Sequence, residues 1–166
     1  MGMLLCLAII LSAFENSVVP ALPLGIKPGL SNVAVMFALL YLGGESALTI
    51  AVLKAGFVFL TRAATAGLMS LSGGVASAVV MLILLKKAKP SLMLMSIVGG
   101  VTHNLAQLLC ATLITQSAYT LWYYPVLILS GTVAGALTGV VLRAVMPYLD
   151  KTQSIFFERN GNKDEA

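Results

Sequence analysis

Apolar residues run along this chain in long unbroken blocks, and short polar or Pro/Gly intervals punctuate them. Blocks of this kind predict helices at about residues 3–19, 30–42, 46–61, 72–85, 91–117 and 122–148. A small-residue turn is expected over 63–71. The chain then ends in a polar tail of mixed charge, 150–166, expected to be frayed. The second block is short for a hydrocarbon core of ~30 Å, which needs about 20 residues. It either begins inside the preceding interval or is buried by its neighbours. That interval, 14–32, reads FENSVVPALPLGIKPGLSN and holds Pro20, Pro23 and Pro28. Three prolines oppose a helix there, and the part at about 15–30 is expected to form a stiff outer loop, a lid over a binding site.

Composition turns these blocks into membrane spans. Hydrophobic residues make up 59% of the chain and charged residues only 10%, against about 25% charged in a soluble domain. The chain therefore lacks the polar surface to cover a soluble sphere. The expected fold is an all-α integral membrane protein. It is a six-transmembrane-helix bundle in one domain, 1–149, with a cytoplasmic tail, 150–166. No Lys or Arg precedes the first block, so it reads as a true helix and not as a secretory signal. Cys6 in place of Ser or Thr argues against myristoylation. Cys6 and Cys110 stand alone in apolar surroundings and read as small packing residues.

The net charge of +4 is not a nucleic-acid signal, because the basic residues are scattered or flank apolar blocks. They set topology instead. Lys86, Lys87, Lys89, Arg143, Lys151, Arg159 and Lys163 fall on one side of the expected bundle, against Lys27 and Arg62 on the other. The richer side is cytoplasmic by the positive-inside rule, which places both termini in the cytoplasm of a prokaryotic plasma-membrane protein. Trp122, Tyr123 and Tyr124 then mark the outer interface. Gly131, Gly135 and Gly139 form a small-residue ridge for close helix packing. Gly99 and Gly100 sit one turn before His103, where they would help open a cavity.

Ionisable groups at bilayer depth cost at least ~2.5–3.5 kcal/mol each, so they are functional candidates by default. Lys54 lies mid-helix with no acidic residue in its own span; snorkelling or hydrogen bonds to carbonyls are its bland alternatives. His103 and Gln107 are one helical turn apart, with Asn104 beside them. An interhelical hydrogen-bond cluster is their bland reading. Glu15, Lys27, Asn32, Lys54, Arg62, His103, Asn104 and Gln107 together suggest a cavity open to the outside. Its cations suit phosphate or carboxylate, and Glu15 is available to pair with Lys54 or Arg62, or to meet a ligand amide. No cofactor or metal is expected.

The ordered pieces PLGIKPGLSN, Lys54 in the third helix and GGVTHNLAQ in the fifth resemble the Gx transporter family, commonly labelled heptaprenyl diphosphate synthase component I. That family is similar to the substrate-binding S-components of energy-coupling factor (ECF) transporters. The resemblance reaches to about residue 149. It implies a bundle of ECF S-component type whose first loop closes over a small-molecule ligand. It also implies a transmembrane coupling subunit and two ATPase subunits as partners. The coupling contact in such bundles is an Ala-xxx-Ala pattern on the first helix, and Ala8 and Ser12 are the nearest match here.

The label of a synthase is testable against chemistry. Prenyl elongation needs clustered aspartates to hold magnesium and diphosphate. The two aspartates here, Asp150 and Asp164, both lie in the tail. The chain also lacks a phosphate-binding glycine loop with Lys-Ser/Thr. The expectation is therefore a non-enzymatic binding subunit for a small anionic vitamin, flavin or isoprenoid-related solute. A membrane accessory subunit of polyprenyl or quinone synthesis is the alternative. An autonomous ion-coupled carrier is weakened because Glu15 is the one acidic residue within the apolar spans.

Overall fold

The computed structural model describes residues 2–18, 31–88 and 90–161; for Asn16, Val18 and 148–161 only the backbone is described. Six α-helices follow one another: α1 Gly2–Val18, α2 Ser31–Tyr41, α3 Gly44–Thr61, α4 Ala64–Ala88, α5 Leu92–Thr115 and α6 Tyr124–Gly161. A short 3-10 helix, Ala118–Tyr123, joins the last two. No strand occurs among the described residues. The expected outer loop over 15–30, including Lys27 and its prolines, lies outside the described residues from 19 onward.

The long helices pack antiparallel in chain order. A side-chain carbon on Gly44 would meet Leu82, one on Gly74 would meet Ala51 and one on Gly67 would meet Phe59, so α3 and α4 run in opposite senses. Gly73 against His103 and Gln107, and Gly99 against Met81, give the same relation between α4 and α5. Connections are correspondingly short. The α2–α3 turn depends on Gly43 at φ 91°, ψ 174°, a region essentially reserved for glycine. Ser91 opens α5 by accepting a hydrogen bond from the Leu94 amide at 3.2 Å, the usual duty of a serine N-cap.

α2 resolves the question of the short block. Eleven residues reach only ~16 Å at 1.5 Å per residue, and six of them are buried: Ser31, Ala34, Val35, Met36, Ala38 and Leu39. This helix is enclosed by α1, α3, α4 and α6. Its alanines share the core with Ala8, Ala47 and Ala51, small residues that let helix backbones approach closely.

Two expectations are corrected. The stretch 63–71 is no turn, because α4 begins at Ala64. Its small residues are one helix face: Gly67, Ser70, Gly73, Gly74, Ser77 and Ala78 recur every three or four positions, and all are buried. The tail is not frayed where it is described, because α6 continues to Gly161 through Pro147. Proline has no N–H for the carbonyl four residues earlier, yet the helix carries on past it.

The outward faces are apolar. Leu60 is 85% exposed, Leu113 79%, Leu129 69% and Val133 69%. Such a surface is stable only against lipid or a partner. α3, α4, α5 and the stretch 118–147 are each long and apolar enough to cross a bilayer, and α1 and α2 are shorter apolar helices. The chain is a multi-pass helical membrane protein. Tyr119 (81% exposed) and Trp122 (80%) stand out at one end of the bundle, where amphipathic rings meet lipid headgroups.

Candidate functional site

Seven of the eight polar residues singled out from the sequence line one cavity: Glu15, Asn32, Lys54, Arg62, His103, Asn104 and Gln107. The eighth, Lys27, is outside the described residues. The space between atoms there, including the part open to the outside, is about 750 Å³. All six helices contribute to its wall.

One side is a buried relay across three helices. Lys54, 2% exposed in the middle of α3, donates to Ser31 Oγ at 3.0 Å. The Ser31 hydroxyl in turn donates to Glu15 Oε2 at 2.9 Å. The hydroxyl thus links the lysine to the carboxylate. A buried cation is tolerated at this depth only when paired in some such way. Lys54 therefore does not snorkel. Arg62 stands at the turn beyond α3, exposed over much of its side chain but turned to the cavity. Partial burial holds its guanidinium below the ordinary arginine value, with the negative charge of Glu15 pulling the other way.

The opposite wall comes from α5. His103 Nε2 and Gln107 Nε2 lie 3.1 Å apart. If the amide nitrogen donates, a neutral imidazole carries its proton on Nδ1. Gly73 of α4 makes room for the pair: a carbon built there would fall 2.9 Å from His103 Nδ1 and 2.8 Å from Gln107 Cγ. Asn104 is committed differently. Its Nδ2 donates to the Leu127 carbonyl at 3.0 Å and to Ser130 Oγ at 3.1 Å, tying α5 to α6. Its carbonyl oxygen is the group it has left to offer the cavity.

The glycine ridge of α6 packs on α5. A carbon built on Gly135 would sit 2.6 Å from Ile97 Cα, and one on Gly131 2.9 Å from Val101 Cα; Gly139 faces Met93 and Ser96. Ala8 and Ser12, expected on a coupling surface, are turned inward. Ala8 is fully buried in the core, and Ser12, 8% exposed, lines the cavity. On α1 the exposed residues are others, Met3, Leu7, Ile10 and Phe14 among them.

Several lining groups went unforeseen: Ser31, Ser70, Ser96 and Thr138. A hydroxyl in an apolar helix usually returns to its own backbone, as Thr49 does to Glu45 and Thr112 to Leu108, so it carries no sequence signal for a site. Among the described residues no three His, Cys, Asp or Glu side chains converge as metal ligands would.

With this geometry in place, the similarity of the chain to known families can be read. The profile of the heptaprenyl diphosphate synthase component I family matches residues 4–145. The chain belongs to that family. The match covers every helix described above except the last part of α6 and the first residues of α1, so the cavity lies wholly within it. No curated protein and no solved structure matches the chain.

Proposed function

We propose that this protein is the solute-binding membrane subunit of a transporter of the ECF type, taking a small organic anion into its polar cavity. Six spans with cytoplasmic termini belong to this reading, supported by Lys86 and Lys87 at the far end of α4 from Arg62. The observation that carries it is the convergence of seven polar or ionisable side chains from four helices on one cavity. Helix packing needs no such collection, since the glycine and alanine contacts already hold the bundle. Arg62 and Lys54 supply positive charge for a carboxylate or phosphate, and His103, Gln107 and the hydroxyls supply directional hydrogen bonds. Transport then draws on a coupling subunit and two ATPases, because this chain has no nucleotide-binding loop of its own.

A second reading has one observation in its favour, the family's description. It makes the chain a non-catalytic membrane partner of a prenyl diphosphate synthase. Affinity purification from native membranes separates the two. The transporter reading expects a multi-span coupling protein and ATPases to co-purify. Recovery of a soluble prenyl synthase in their place, with no ATPase, contradicts it.

A further inference from the structure

Glu15 is 5% exposed and lines the cavity. Its Oε2 accepts from the Ser31 hydroxyl. Its Oε1 is buried and accepts no hydrogen bond among the described residues. No hydrogen bond from a nearby cation fills that place: Lys54 donates to Ser31, and Arg62 acts on the carboxylate through charge. A carboxylate oxygen can only accept, and a buried acceptor without a donor is strongly unfavourable. The group that satisfies Oε1 is therefore an N–H or O–H.

We propose that Glu15 Oε1 receives a hydrogen bond from the bound solute, so that the solute combines an acidic group with a hydrogen-bond donor. The inference rests on the anion-binding reading above and narrows it. Arg62 and Lys54 face the acidic group, and Glu15 faces the donor. A phosphorylated or carboxylated amine, amide or alcohol meets both demands. A prenyl diphosphate meets only the first, because its hydrocarbon tail has nothing to donate.

The test compares two probes of equal length on the full chain in mild detergent, by calorimetric titration. 2-Aminoethyl phosphate carries an ammonium group where propyl phosphate carries a methyl. The wild type is expected to bind the aminoethyl compound about tenfold more tightly or better, the usual return on a charge-assisted hydrogen bond. Glu15→Gln should abolish that preference while propyl phosphate still binds. Should that variant fail to assemble, Glu15→Asp, which withdraws the carboxylate by one methylene, is read the same way. Equal affinity of the wild type for both probes overturns the inference, leaves the anion site standing and is the result expected if water alone satisfies Oε1. Binding of neither probe refutes the anion-binding reading and the inference with it.

Discussion

Lys54 and Glu15 show how much one hydroxyl can decide. Ser31 bridges them through two hydrogen bonds of about 3 Å, and both border the cavity. Gly73 has the complementary role on the other wall, as an absence of side chain against which His103 and Gln107 rest. Gly73→Ala is therefore expected to displace that pair and lower affinity for 2-aminoethyl phosphate about tenfold. The atoms in the way belong to side chains, so the bundle should still fold, and thermal unfolding should stay within a few degrees of wild type. Titration calorimetry and a thermal melt check both halves. The site residues were legible because an ionisable or amide side chain in an apolar block needs a partner. The hydroxyls were not, because a hydroxyl within a helix has that helix's backbone as a ready acceptor.

At the scale of elements, α5 and α6 are held by backbone contact. A carbon added at Gly135 would meet Ile97 Cα and the Ser96 carbonyl, neither of which can rotate away. Gly135→Ala should force the helices apart and destabilise the protein by about 1–3 kcal/mol, as overpacking does. Gly56, exposed on α3 with open space around it, is the control. Its alanine variant should be neutral or more stable by up to about 1 kcal/mol. A melt in which both variants behave alike would contradict the assignment of the ridge. Hydrophobic blocks located five of the six helices to within about two residues at their starts. They failed at α4, where Ala64, Gly67 and Ser70 resemble a turn in composition but open a helix, with Gly67 and Ser70 on its buried face. They failed again beyond Tyr148, because a polar helix leaving the bilayer carries no apolar period to read.

For the whole molecule, the antiparallel order of α3 to α6 puts Arg62 and Trp122 at one end of the bundle and Lys86 and Lys87 at the other. The proposed orientation makes the first end extracellular. In a background with Cys6→Ala and Cys110→Ala, Arg62→Cys should react with an impermeant maleimide on intact cells, and Lys86→Cys only after lysis. The reverse pattern would invert the bundle and turn the cavity's charged end inward. The larger claim is that the polar interior exists to hold a solute, and it is reached most directly by extracting small molecules from the protein after purification in mild detergent and identifying them by mass spectrometry. The wild type should carry one small anionic compound in near-stoichiometric amount, and both Lys54→Ala and His103→Ala should lose most of it while remaining folded. Wild-type protein that carries no such compound, or variants that retain it in full, would contradict the account.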